Sequence, residues 1–364
     1  MNPLSGLKTW RRTVLGALGV LGLGAAVWWA VHAPRQAPLA DRVIDAATRD
    51  QVVEQAADLL ERYYVFPERG SAIARQLRER AQQGDFARID SAIAFADALT
   101  ETLQAISADE HLAARYFDQP LSDAVDGDGT PEERAAELLN QTRFNFGFAH
   151  LMRLKGNVGL IELRGFGRPA QVATRTAAAM QLIADTRALV IDLRECGGGD
   201  PEGVMQFASY LFDQPTHLND IYWRDEDRTD VRWTTADVAG VRYGQSRKLY
   251  LLISGHTFSA CEDFAYALKN AGRALLVGET TGGGAHAGSP RRLNAHFMLF
   301  VPTGRPINPV TGTDWEGVGV QPDVPVSASD AQDTAHIEIL KHLIATETDP
   351  DWRERLRDTL EDLD

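Results

Sequence analysis

Short apolar runs separated by longer segments of helical pattern constrain this chain more than any other feature. VGLIEL (158–163), ALVIDL (188–193), LYLLI (249–253), ALLVG (274–278) and FMLFV (297–301) read as strands, bounded by polar or glycine-bearing turns. Between them, the alanine-rich stretch 171–185, a segment resuming near Glu202, and 259–270 with Gly272 as its stop read as helices. Strands alternating with helices predict an α/β layered domain. At 364 residues the chain has room for a second unit.

That second unit lies upstream. From Asp41 to about Ser107 apolar residues recur at helical spacing: Val52, Val53, Ala56, Leu59 and Leu60, then Ile73, Leu77 and Ala81, then Ile93, Ala96, Leu99 and Leu103. Pro67 to Gly70 breaks the first run, and Asp90 is placed to cap the third. The pattern predicts a small helical bundle over 41–115. A polar connection with one helix follows at 118–142.

The N-terminus carries an address. Lys8, Arg11 and Arg12 precede the charge-free run TVLGALGVLGLGAAVWWAV (13–31), close to the ~20 residues that span a bilayer as a helix. Residues 1–33 are expected to be a retained signal anchor or a cleaved signal peptide. The anchor is favoured because the run is long for a signal and Pro34 follows the nearest small-residue cleavage pattern. Either reading puts the body outside the cytoplasm, anchored to the inner membrane and facing the periplasm or exported to it.

Composition excludes other classes. A net charge of −14 argues against a nucleic-acid partner, which needs a basic surface. The nine histidines show no HExxH or close pairing, so no metal or other cofactor is expected. The two cysteines, Cys196 and Cys261, are too few for a disulfide framework.

Chemistry has three candidate places. In ISGHTFSACEDFAYALKNAG (253–272) an apolar strand, a tight turn and a helix put the Ser259 hydroxyl at a helix N-terminus, where free N–H groups would stabilise an oxyanion. The competing reading is a plain N-cap, Ser259 or Thr257, with Glu262 completing a capping box. In DLRECGGGD (192–200) three glycines follow a strand, and their amides could bind an anion or serve as an ordinary turn. The third place is a set of lone polar residues: His111 before the expected strand LAARYF, and Glu316 in WEGVGV (315–320), read as a glycine-punctuated strand.

Together these segments resemble peptidase family S41. The resemblance also takes in ERYYVFPERG (61–70), DEHL (109–112), VGETTGGGAH (277–286) and INPVTGTDWEGVGVQPDV (307–324). It is nearest the retinoid-binding-protein branch, since no PDZ-like insert fits between about 118 and 145.

The resemblance implies a layered crotonase/ClpP-like ββα catalytic domain over 145–330, preceded by the bundle and followed by an acidic helical tail, 331–364. The end of that tail is expected as a solvated cap. It implies a serine peptidase of the tail-specific kind, with Ser259 as nucleophile, His111 as base and Glu316 as the carboxylate that orients it. Gly198 or Gly199 with Ala260 would supply the oxyanion amides, and His286 is the alternative base. Processing peptidases carry a lysine base where Gly284 stands, so a Ser–Lys dyad is not expected. Cys196 and Cys261 would lie near the site, as two small buried thiols or a redox-sensitive pair. The expected partner is an unstructured polypeptide or a C-terminal tail. A non-catalytic binding module for an apolar ligand or peptide tail, in the same cleft, is the alternative.

Overall fold

A computed structural model describes residues 40–121 and 131–363. The expected N-terminal anchor, residues 1–33, lies outside the described residues. Among the described residues no helix is long and apolar enough to cross a membrane.

Three helices open the chain: α1 (Ala46–Tyr63), α2 (Pro67–Gln82) and α3 (Ala92–Ser107). The caps expected of such sequences are present. Asp45 accepts from the Thr48 amide, Pro67 starts α2, and Ser91, one residue beyond the expected Asp90, caps α3. Strand β1 (Ala113–Tyr116) follows, then α4 (Pro131–Arg143) and β2 (Phe148–Leu154).

The expected elements β3 (Val158–Leu163), α5 (Pro169–Leu182), β4 (Ala188–Asp192) and α6 (Pro201–Ser209) come next, followed by two short strands that the sequence pattern does not mark, β5 (Asp220–Trp223) and β6 (Arg228–Asp230). The chain continues with β7 (Lys248–Ile253), α7 (Ala260–Asn270), β8 (Leu275–Gly278), β9 (Ala287–Arg292), β10 (Phe297–Ile307) and β11 (Val324–Pro325). Helices α8 (Ala331–Thr346) and α9 (Pro350–Glu361) close it.

The strands form two sheets. The larger has the order β11-β8-β7-β4-β3-β2 and is parallel except for the β2–β3 hairpin. Both its faces are covered, which explains the unbroken apolar runs. Ile161, Leu189, Ile191, Leu251 and Ile253 face α5, α6 and α7, while their neighbours Leu160, Val190, Tyr250 and Leu252 face α8.

The C-terminal segment is therefore more than a solvated cap. Ala335, Ile339, Leu340 and Leu343 of α8 are core residues, and Leu356 of α9 is buried with them. The stripe Trp352, Leu356 and Leu360 is real, but it packs into the core that α8 makes with the sheet rather than facing solvent.

The smaller, antiparallel sheet has the order β1-β10-β5-β6, with β9 also on β10. It packs under the helical bundle: Phe95 and Leu99 share a core with Leu112, Phe297 and Leu299. The pairing Ala113↔Phe300 thus joins the early chain to the late chain. WEGVGV is not a strand. Gly317 and Gly319 sit at φ 70° and 68°, and the segment turns back on itself through Val318 N–H to Trp315 O.

Candidate active site

The parallel strands end on one level. Glu162 of β3 pairs with Asp192 of β4, Asp192 with Leu252 of β7, and Ile253 with Gly278 of β8. The loops leaving these carboxyl ends carry DLRECGGGD after β4, the Ser259 turn after β7 and GETTGGGAH after β8, and such edges are where open α/β sheets bind ligands.

Ser259 occupies the turn between β7 and α7 with φ 55° and ψ −122°. For a residue with a Cβ this conformation costs about 1–3 kcal/mol, and such strain persists only where surrounding structure enforces it. Here the enforcers are visible. Thr257 Oγ1 donates to Leu193 O at 2.8 Å, Phe258 N–H to Cys196 O at 2.9 Å, and the Ser254 hydroxyl donates to Arg194 O. The Ser259 amide donates to Glu262 Oε2 at 2.9 Å within the expected capping box. The hydroxyl also meets His111 Nε2 at 3.2 Å.

Glu262 does more than cap. Its buried carboxylate also accepts from the Thr281 hydroxyl, from Gly283 N–H at 2.7 Å and from Gly284 N–H at 2.9 Å. Burial pushes its pKa up to about 7 against the pull of these donors. It clamps the GGGAH loop to the head of α7, a role hidden in sequence behind the capping signature.

His111 enters from just before β1. It is buried, with its ring 4.8 Å from that of Phe258 and 5.9 Å from that of Phe300. Burial lowers its pKa to about 4, against the charge of Asp109, so the imidazole is neutral near pH 7. Its Nδ1 has no hydrogen-bond partner and lies 3.9 Å from Asp109 Oδ1.

Gly284 makes room for this ring. A Cβ there would lie 2.1 Å from Phe258 Cζ and 2.7 Å from His111 Cε1. The space beside Gly284 is thus filled by Phe258 and the His111 imidazole.

The other acids are divided by their partners. Asp109 Oδ2 accepts from His286 Nδ1 at 2.7 Å and from the Tyr64 hydroxyl at 2.9 Å, while Oδ1 accepts from the His111 amide at 3.0 Å. Burial would raise Asp109, but the His286 bond and charge outweigh it and hold the carboxyl low. Burial would likewise lower His286, and Asp109 with Glu316 outweighs that and raises it. His286 is therefore committed to Asp109, and the Ser259 hydroxyl pairs with His111 instead.

Glu316 Oε2 accepts the amides of Ala285 at 2.6 Å and His286 at 3.1 Å, leaving Oε1 buried without a hydrogen-bond partner, 3.6 Å from His286 Nδ1. Burial and the Asp109 charge push Glu316 up to about 7. One donor atom each from Asp109, His111 and Glu316 lie within 4.8 Å of one another, so this grouping has the spacing of a metal site. Asp109 and the roles of Tyr64 and Glu262 were not anticipated. The DEHL segment held the signal for Asp109, two residues before the histidine.

The oxyanion candidates separate. Gly198 N–H is occupied: it donates to Cys261 Sγ at 3.1 Å. Gly199 forms a parallel bridge with Phe166 through the Gly198 carbonyl and the Asp200 amide, so its own N–H points to the other side. Among the described residues neither the Gly199 nor the Ala260 amide has an acceptor. The two cysteines are not free thiols. They form a disulfide, because the turn after β4 and the first turn of α7 bring their Cα atoms to 5.9 Å.

A strained serine elbow, a neutral buried imidazole and two unengaged amides define a serine–histidine type of site on an α/β sheet edge. Residues 157–326 match the model described as Peptidase family S41, and residues 44–143 match that of the N-terminal domain of Peptidase_S41 in eukaryotic IRBP. The chain belongs to peptidase family S41.

Over 185 residues it is 32% identical to the chloroplastic carboxyl-terminal-processing peptidase 2 of Arabidopsis thaliana, covering 48% of this chain and 33% of that protein. The chain thus spans about a third of the length of that curated relative. A lipoprotein from Streptococcus agalactiae shares the fold with a TM-score of 0.55 at 13% identity, over 81% of this chain and 96% of that one. A protein from Parabacteroides merdae does so with a TM-score of 0.51 at 15% identity, over 77% and 90%.

Proposed function

We propose that this chain is a serine peptidase in which Ser259 attacks the peptide carbonyl and His111 Nε2 takes its proton. The observation that carries the reading is the strained Ser259 elbow with its hydroxyl 3.2 Å from a neutral, buried imidazole. A serine hydroxyl needs such a base, and His111 returns the proton to the leaving amine.

The imidazolium formed in that step is costly. With a pKa of about 4, placing the proton on His111 at pH 7 costs about 4 kcal/mol. Only an acceptor at Nδ1 can offset this. Asp109 Oδ1 lies 3.9 Å from Nδ1 and already accepts the His111 amide; Glu316 Oε1, which has no hydrogen-bond partner and belongs to the same close grouping, is the acceptor we assign to complete the triad. The amides of Gly199 and Ala260 receive the oxyanion, and the substrate is an extended polypeptide or chain terminus. Within the fold, β2, β3 and α5 are the ββα unit of a crotonase/ClpP-like layer.

The site of action is extracytoplasmic, with residues 1–33 as anchor or export signal. The Cys196–Cys261 disulfide supports this location, since such bonds persist in oxidising compartments.

Ser259→Ala tests the reading. The parent hydrolyses an unstructured polypeptide and reacts with a fluorophosphonate at Ser259, and the variant does neither while keeping its circular dichroism. A parent inert to substrate and probe at every pH is a binding module instead.

A further inference from the structure

The disulfide joins the two turns that build the site. Cys196 sits two residues before Gly198, and Cys261 two residues after Ser259. Both residues are fully buried. We propose that the Cys196–Cys261 bridge is a positioning element for catalysis, which turns the Gly198 amide inward and presents the Gly199 amide to the reacting carbonyl. This rests on the peptidase reading above.

The hydrogen bonds around the turn support it. Gly197 N–H is taken by Arg164 O at 3.2 Å, Gly198 N–H by Cys261 Sγ at 3.1 Å, and Asp200 N–H by Phe166 O at 2.7 Å. Gly199 alone in this run keeps its N–H unengaged among the described residues. A disulfide sulfur accepts and does not donate, so its contact with Gly198 fixes which way that peptide faces.

Glycine makes this necessary. Gly198 and Gly199 stand at φ 132° and 141°, and a Cβ on Gly199 would lie 2.2 Å from Phe166 O. The turn must be glycine, and glycine has the greatest backbone freedom to lose. No side chain can pin it, so the tether on the neighbouring residue does.

Without the bond, two thiols cannot approach to the ~2 Å of a disulfide and must part by more than an ångström. In a fully buried place that displacement passes to the turn, the head of α7, or both. Oxyanion donors tolerate only about 0.5 Å of misplacement. They act on the transition state, so kcat falls and KM does not.

The test compares the parent chain with Cys196→Ser/Cys261→Ser, following peptide hydrolysis and the rate of fluorophosphonate labelling. The variant is expected to unfold cooperatively, hold KM within twofold and lose kcat and labelling rate at least tenfold, toward the ~10²–10³ of a lost oxyanion donor. A folded variant with kcat within twofold of the parent overturns the proposal and leaves the peptidase reading intact. A parent that neither hydrolyses nor labels overturns both.

If the variant does not fold, parent refolded with its thiols reduced is assayed before and after oxidation by oxidised glutathione. A kcat that rises at least tenfold as the bridge forms, at constant KM, supports positioning. Unchanged kcat, or a chain that folds only with the bridge, assigns the disulfide to the fold alone and overturns the proposal.

Discussion

His111 Nε2 reaches Ser259 Oγ at 3.2 Å across 148 residues of sequence, and it does so because β1 pairs with β10 rather than with any strand of the large sheet. The imidazole and the serine hydroxyl are thus carried by different sheets, and Phe258 and Phe300, one from each side, hold the imidazole between them.

The strain at Ser259 predicts a stability difference separable from activity. Ser259→Gly relieves the φ of 55° and should be more stable than Ser259→Ala by about 1 kcal/mol in urea unfolding. Both variants are expected to be inactive. Equal stabilities of the two variants would show that the elbow is unstrained.

The pH profile of kcat/KM should rise with two limbs. His111 must be neutral, which holds above about 4, and Glu316 must be ionised, which holds above about 7. Activity therefore climbs through the neutral range and levels off above it. Glu316→Gln should lower the plateau and remove the limb near 7. Retention of that limb in the variant would assign it to another group.

Asp109 and His286 form a pair whose contribution to stability has a pH window. The His286 pKa is raised above 6.5, so its contribution is complete below 6.5 and is lost as pH rises through the folded value. Asp109 is lowered below 3.8, so its contribution is complete above 3.8 and is lost as pH falls through the folded value. Asp109→Asn should therefore cost most between these limits. Denaturant unfolding of parent and variant at pH 5 and pH 9 measures the difference, which should shrink at pH 9.

Gly284 should tolerate no side chain. Gly284→Ala places a methyl against Phe258 and His111 and should cut kcat at least a hundredfold by displacing the base. Gly284→Lys should not restore a lysine-based site, because the imidazole already holds that space. Steady-state kinetics with one peptide substrate decides both.

Glu262→Gln should destabilise the loop. Each carboxylate oxygen faces two donors, so either amide orientation opposes an NH₂ to N–H or O–H groups. The expected loss is about 1–3 kcal/mol in unfolding free energy.

What could be read from the chain follows from local rules. VGLIEL, ALVIDL and LYLLI announce strands because a strand covered on both faces must be apolar throughout, and TFSACED announces a helix start because its backbone donors need partners. The resemblance of several motifs, taken together, named Ser259, His111 and Glu316 where spacing alone left them among many polar residues. WEGVGV misled because alternating glycine and valine imitate a strand when the glycines in fact take positive φ. The tail misled because its acidic face outweighed a stripe that joins the core between α8 and the sheet.

Order along the chain thus determined the layers and the location of the elbow. Tertiary structure alone decided that Gly199 rather than Gly198 keeps a free amide, that His286 serves Asp109, and that the two cysteines meet. Each of those outcomes depends on which of several chemically equivalent groups lies within hydrogen-bonding or bonding distance. Distance between residues far apart in sequence is set by how the two sheets and their helices pack, which no local pattern encodes.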